Sequence, residues 1–130
     1  MKILIAEDDA ASRKVLSILL RKRGLEVIET ENGQQAWQIM QQPDAPRMVI
    51  IDWRMQGMDG LELIRRIRSL RSGAVMPYIM MVTSMTGKGD IVRALKAQAN
   101  DYLTKPFDSN ELNARIEVGL RMISMQEELE

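Results

Sequence analysis

Five short apolar runs alternate with five segments of helical periodicity along the 130-residue chain. The runs cover residues 3–6, 25–28, 48–51, 78–82 and 102–103. Short, almost continuous apolar runs are typical of strands that are buried on both faces of a sheet. A strand–helix unit repeated five times predicts a single α/β domain, with a doubly wound parallel sheet between two layers of helices.

The helical segments carry apolar residues three and four positions apart, which gives each helix one buried face. Asp59 and Asp108 each precede a helical segment and have a glutamate three residues later, a pattern typical of a helix N-terminus. The fourth segment, roughly residues 88–98, has the weakest pattern. We expect only Ile91, Leu95 and several alanines to be buried there.

The composition excludes several classes of function. Eighteen basic residues balance eighteen acidic ones, so net charge gives no reason to expect binding to nucleic acid or to an anionic membrane. The chain has no cysteine and no histidine, which excludes disulfides, thiolate metal sites and imidazole catalysis. Residues 1 and 2 lead straight into a strand, and no apolar run is long enough to span a bilayer. We therefore expect a cytoplasmic protein.

Polar side chains follow four of the five predicted strands. In chain order they are Glu7, Asp8 and Asp9, then Asp52, then Thr83 and Ser84, and finally Lys105, which precedes Pro106. Because the carboxyl ends of parallel strands lie at one edge of a sheet, these side chains are expected to converge there. The sequence therefore predicts one acidic pocket with a hydroxyl group and an ammonium group beside it.

The first of these loops argues for a cation. A fold of this class that binds phosphate directly usually offers a glycine-rich loop after the first strand, whereas this chain offers three acids. Clustered carboxylates are suited to Mg²⁺, which prefers oxygen ligands. With a cation present, Asp52 could act as a nucleophile toward phosphorus. Thr83 and Lys105 could then stabilise the oxygens of the transferred group.

Four segments together resemble the receiver domain of two-component response regulators. They read ILIAEDD at 3–9, IDWRM and MDG at 51–55 and 58–60, VTS at 82–84, and DYLTKPF at 101–107. The resemblance covers nearly the whole chain. It implies a flavodoxin-like (βα)5 sandwich with strand order 2-1-3-4-5.

The same resemblance implies a phosphorylation site at Asp52, with a sensor histidine kinase or a phosphotransfer protein as the donor. Mg²⁺ is the implied cofactor. The implied metal site consists of Asp8 as the direct acidic ligand, Glu7 as its partner acting largely through water, Asp52, and the backbone carbonyl of Arg54. Asp9 has a second interpretation, since an aspartate at this position commonly caps a helix.

The remaining site residues also take their roles from the resemblance. Lys105 would contact the phosphoryl group, and its bond to Pro106 is expected to be cis. Thr83 and Tyr102 would form a switch pair, in which Thr83 moves toward the phosphate and the ring of Tyr102 turns inward. The surface of the fourth helix, fifth strand and fifth helix would change with them. Arg54 and Met85 hold positions that tune dephosphorylation in this family.

The last helix contains a predicted boundary between the domain and a helical extension. We expect the receiver domain to cover residues 1–122 and a helical extension to cover residues 118–130. In the extension, Val118, Met122, Met125 and Leu129 follow a heptad spacing. A frayed helix end explains this pattern as well as a functional seam does. As a seam, the extension would form a homodimer or lead into an output domain that this sequence lacks.

Three alternatives to a phosphorylation-driven switch make different demands on the sequence. A haloacid-dehalogenase-type phosphatase needs a second acid two residues after Asp52, where this chain has Arg54. A flavin-binding protein needs a phosphate loop rich in glycine and hydroxyl groups, which is missing. A pseudo-receiver, an interaction module that is never phosphorylated, stays open. The sequence thus favours a switch over an enzyme, with a downstream protein or a missing output domain as its target.

Overall fold

Strands and helices alternate regularly in the computed structural model, which describes residues 1–70 and 76–129. The strands are β1 (Lys2–Ala6), β2 (Glu26–Thr30), β3 (Met48–Ile51), β4 (Tyr78–Thr83) and β5 (Asp101–Thr104). The helices are α1 (Ala10–Lys22), α2 (Gly33–Met40), α3 (Gly60–Ser69), α4 (Lys88–Lys96) and α5 (Ser109–Glu128). The predicted order of elements is therefore confirmed.

The five strands form one parallel sheet in the order β2-β1-β3-β4-β5. In the middle of the sheet, Ile5 of β1 is paired with Ile50 of β3, which is paired in turn with Met80 of β4. All residues of β3 and β4 are buried, as expected for strands with helices on both sides. The fold is thus the predicted flavodoxin-like, doubly wound α/β sandwich.

Two apolar cores lie on opposite faces of the sheet. One contains residues of α2, α3 and α4, including Ala36, Ile64 and Ala94. The other contains residues of α1 and α5, including Leu16 and Ile116. Burial of a large aliphatic side chain contributes about 1.5–3 kcal/mol relative to its exposure, so these two layers are the main source of stability.

Side-chain caps fix where four of the helices begin. Asp9, Asn32, Asp59 and Asp108 each accept a hydrogen bond from a backbone N–H in the first turn of α1, α2, α3 and α5. These caps place the loops before α1, α3 and α5, which carry the predicted site. By contrast, α4 begins at Gly87 without a side-chain cap.

One core prediction for α4 is wrong. Leu95 is 48% exposed, and the buried residue of this helix is Ala94. The small Ala94 packs in the core on this face of the sheet, whereas Leu95 is turned toward solvent. Ile91 is partly buried. The expectation that α4 has little apolar surface to bury is confirmed.

Helix α5 packs along most of its length. Leu112, Ile116 and Ile123 are buried, and Glu127 near its end pairs with Arg47 at 3.0 Å. The predicted extension is therefore continuous with α5 up to the last described residues, and its final residue, Glu130, lies outside them. A search of the described helices found none with both the length and the apolar character needed to cross a bilayer.

Candidate functional site

Three carboxylates converge at the carboxyl edge of the sheet, as the sequence predicts. Glu7 and Asp8 follow β1, and Asp52 follows β3. One oxygen from each lies within 4.8 Å of the other two. Hard cations such as Mg²⁺ take carboxylate oxygens as ligands, so this group of three acids fits such an ion. Asp9 is not part of it.

Lys105 joins this group of acids from the end of β5. Its ammonium lies 3.0 Å from Asp52 Oδ2 and also donates a hydrogen bond to Glu7 Oε1. The side chain of Glu7 is 1% exposed, that of Asp52 is 12% exposed and that of Lys105 is 20% exposed. The opening of the site therefore exposes Asp52 more than Glu7. The Lys105–Pro106 bond is cis, as expected.

Burial and the neighbouring charges shift the pKa values of Glu7 and Lys105. Burial is the main reason that the pKa of Glu7 is raised from 4.5 to about 7. The neighbouring Asp52 raises this pKa further, and Lys105 offsets only part of the two effects. Burial alone would lower the pKa of Lys105, but its hydrogen bonds to Glu7 and Asp52 raise it overall. Lys105 therefore stays charged near neutral pH, whereas Glu7 is costly to ionise.

A neutral side chain at position 7 is expected to stabilise the metal-free protein. Above pH 7 Glu7 is ionised in both the folded and the unfolded chain, and the folded state carries the full free-energy cost of burying the charged carboxylate. Below pH 7 the folded state takes up a proton, and the cost declines as pH falls toward 4.5. In EDTA, Glu7→Gln should therefore raise the unfolding free energy by about 1–3 kcal/mol at pH 8, and by less at pH 5.5.

Thermal unfolding followed by circular dichroism at both pH values checks this result. Glu26→Gln is the matched control, because Glu26 is exposed on the edge strand β2 and should change little. A Glu7→Gln protein that melts below the wild type at pH 8 would show that the pairing with Lys105 outweighs burial.

The loop that carries Asp52 is held by backbone contacts. The N–H of Asp52 donates to the carbonyl of Ala6 at 2.9 Å, and the N–H of Gly60 donates to the carbonyl of Trp53 at 2.7 Å. A Cβ at Gly60 would lie 2.8 Å from Trp53 Cα and closer still to the Asp52 carbonyl oxygen. The start of α3 is therefore packed directly against the residue that carries the candidate acceptor.

Arg54 contacts this site through its backbone. Its N–H donates to Asp52 Oδ1 at 3.4 Å, and its side chain is exposed. With Asp8, Trp53 and Met85, the side chain of Arg54 lines an open groove next to the acids. A role for the Arg54 carbonyl as a metal ligand stays a prediction.

The two expected switch residues lie beside the acids. Thr83 ends β4 and is 1% exposed, with its hydroxyl oxygen accepting a hydrogen bond of 3.4 Å from the N–H of Met85. Tyr102 on β5 is half-buried, and its hydroxyl donates to the carbonyl of Met85 at 2.6 Å. Both residues therefore contact the loop between β4 and α4, which connects the site to the helix that has no side-chain cap.

Two residues near the site have structural roles. Asp9 caps α1, accepting a 2.8 Å hydrogen bond from the N–H of Ser12, and this bond lowers the pKa of its carboxyl. Trp53 is 4% exposed and packs in the core. The guanidinium of Arg93 on α4 lies 5.2 Å from the centre of the Trp53 ring, a contact that the sequence did not reveal.

Comparison with known proteins shows the class to which this fold and site belong. The sequence matches the response regulator receiver domain family over residues 3–117, and the chain belongs to that family. Receiver domains are signalling switches of two-component systems. The family and the fold that the sequence motifs imply are therefore both confirmed.

Individual relatives include a free-standing and a longer protein. The chain is 36% identical to a CheY chemotaxis protein homolog of Campylobacter jejuni, over 90% of both chains. It is 36% identical to the phosphate regulon transcriptional regulatory protein PhoB of Pseudomonas aeruginosa, over 92% of this chain and 51% of PhoB. A solved P. aeruginosa sensor histidine kinase receiver domain, with magnesium coordinated in its active site cleft, is 30% identical, with a TM-score of 0.80. That match covers 91% of this chain and 95% of the other.

Proposed function

We propose that this receiver domain is switched by transfer of a phosphoryl group to Asp52. One observation carries the proposal: Asp52, which is partly exposed, belongs to a group of three carboxylates, with the ammonium of Lys105 at 3.0 Å from its Oδ2. A carboxylate attacks phosphorus through its anionic oxygen, so this reaction requires no general base from the protein.

The cofactor that fits these residues is Mg²⁺. Glu7, Asp8 and Asp52 would hold the ion with the backbone carbonyl of Arg54, and the related receiver domain with magnesium in its cleft supports this assignment. When bound, the ion would neutralise charge on the oxygens of the phosphoryl group. Lys105 would turn from Glu7 toward that group, and Thr83 would donate its hydroxyl to it.

The proposed donor is a sensor histidine kinase or a phosphotransfer protein. The phosphoryl group leaves the donor histidine as the bond to Asp52 forms. Thr83 and Tyr102 then bias the domain between two states, and their hydrogen bonds to Met85 support the β4–α4 loop as the connection. The altered surface of α4, β5 and α5 would contact a downstream protein, or an output domain reached through the helical extension at residues 118–130.

Lys105 is proposed to stabilise the transferred phosphoryl group and, without metal, to neutralise Glu7 and Asp52. Removal of its charge separates these two contributions. Lys105→Met should lower phosphorylation of Asp52 by about 100-fold, because one donor to the developing charge is lost. Mg²⁺ should still bind, and more tightly, because no resident cation then neutralises Glu7 and Asp52. Phosphorylation read by intact mass and Mg²⁺ affinity read by calorimetry check the two effects.

Lys96→Met is the control for this variant, since Lys96 is exposed on α4. Weaker Mg²⁺ binding by Lys105→Met would contradict the competition between lysine and metal. An unchanged rate of phosphorylation would remove Lys105 from the proposed mechanism.

The proposal as a whole is tested with a small phosphodonor. The wild-type protein is incubated with acetyl phosphate, with Mg²⁺ or with EDTA, and its intact mass is measured. A gain of one phosphate in Mg²⁺ alone is expected. No gain in either sample would instead favour a pseudo-receiver, which acts by protein contact without phosphorylation.

A further inference from the structure

The distal half of α5 carries an apolar stripe that nothing else in the described chain covers. Its members are Val118, Met122, Met125 and Leu129, which are 41%, 44%, 60% and 88% exposed. The intervals of four, three and four residues match the roughly 3.6 residues of a helical turn, so the four side chains lie along one face of the helix. Exposed apolar patches of this kind are typical of interaction surfaces.

The opposite face of the same helix segment is attached to the domain. Ile116 and Ile123 are buried, and Glu127 forms its ion pair with Arg47 in the last turn. The helix is thereby held on the domain while the stripe faces outward. A surface that is already ordered loses little conformational entropy when a partner binds.

We propose that this stripe binds the same stripe of a second copy of the chain, with the two α5 helices antiparallel. In this two-fold arrangement Val118 lies opposite Leu129 of the second copy, and Met122 lies opposite Met125 of the second copy. Two-fold pairing places identical surfaces against each other, which matches a single apolar line flanked by polar residues. The surface is separate from the phosphorylation site, and the proposal does not depend on that site.

Charge along one edge of the stripe selects the antiparallel orientation. Arg121 and Glu128 lie seven residues apart on that edge, are both exposed, and form no ion pair within the described residues. Antiparallel pairing brings Arg121 of each copy near Glu128 of the other, which gives two attractive pairs. Parallel pairing would instead place Arg121 beside the neutral Gln126 of the second copy.

The position of the stripe leaves the acidic site of each copy accessible in the dimer. Helix α5 begins shortly after Lys105, at the edge of the sheet that carries the acids, and ends near Arg47, which precedes β3 at the other edge. Paired through their distal halves, two domains would have their acidic sites at the far ends of the dimer. We therefore expect self-association without phosphorylation.

Analytical ultracentrifugation of the full chain from about 10 µM to 1 mM, at low salt, tests the proposal. The wild type is expected to show a reversible monomer–dimer equilibrium in this range. Arg121→Glu or Glu128→Arg alone should raise the dissociation constant about tenfold, because each turns two attractions into two repulsions. The double variant should return to within about threefold of the wild type.

Arg65→Glu is the control for net charge, because Arg65 is exposed on α3. It should leave the dissociation constant unchanged, and circular dichroism confirms that each variant is folded. A wild type that stays monomeric at 1 mM would overturn the proposal. Single variants that associate as tightly as the wild type would also overturn it, as would a double variant that fails to recover.

Disulfide trapping tests the orientation independently, because the chain has no native cysteine. A mixture of Val118→Cys and Leu129→Cys proteins should form a mixed disulfide dimer under mild oxidation. Val118→Cys alone should form far less. Efficient linkage of Val118→Cys to itself would indicate parallel helices and contradict the antiparallel arrangement.

Discussion

The Asp52→Asn protein is expected to lose phosphorylation from acetyl phosphate by at least about 100-fold. The amide keeps the size of the side chain but lacks the anionic oxygen that attacks phosphorus. It also removes one of the three carboxylates that would hold Mg²⁺. Intact mass against time, with saturating donor and Mg²⁺, measures the effect.

Asp59→Asn is the matched control for this loss. Asp59 lies seven residues later and caps α3 by accepting a hydrogen bond of 2.9 Å from the N–H of Glu62. Asparagine caps helices about as well as aspartate, so both folding and phosphorylation should be retained. Equal incorporation by the Asp52→Asn protein and the wild type would mean that another side chain is the acceptor.

The largest expected effect on stability comes from Gly60→Ala. Its methyl group would overlap the Asp52 carbonyl and approach Trp53 Cα, and both are backbone atoms that cannot rotate away. We expect a loss of about 2–4 kcal/mol in the free energy of unfolding, the range for severe overpacking at a buried position. Urea unfolding followed by circular dichroism measures it. Displacement of the loop should also slow phosphorylation.

Gly89→Ala provides the comparison for the glycine at 60. A Cβ at Gly89 meets no atom within 4 Å, and the residue lies inside α4. Alanine favours helix over glycine by up to about 1 kcal/mol, so this variant should be as stable as the wild type or more stable. If Gly60→Ala were equally well tolerated, the close contact between α3 and the Asp52 loop would be wrong.

Strand-end positions explain why so much of the site is predictable from sequence. Glu7 and Asp52 directly follow buried apolar runs, and Lys105 follows a shorter one. Once the sheet is parallel, the backbone alone brings these positions to one edge. The same logic predicts the caps, because Asp9 and Asp59 must satisfy N–H groups that the helix leaves without partners.

Side-chain partners depend on tertiary packing and were not predictable. The contact of Lys105 with the buried Glu7 joins residues 98 positions apart, and no local pattern encodes it. The error at Leu95 has a similar cause: periodicity shows that one face of α4 is buried, but the small Ala94 determines which one. The sequence contains only a weak indication of the close contact at Gly60. A glycine directly after a helix cap often marks a place where another backbone segment approaches closely.

The measurement that tests the central claim most directly is the location of the phosphoryl group. The wild-type protein is phosphorylated with acetyl phosphate and Mg²⁺, reduced with borohydride so that an acyl phosphate becomes an alcohol, and mapped by peptide mass spectrometry. The proposed function predicts reduction at Asp52 alone, and none when Mg²⁺ is replaced by EDTA. Reduction at Glu7 or Asp8, or no reduction at any carboxylate, would contradict it.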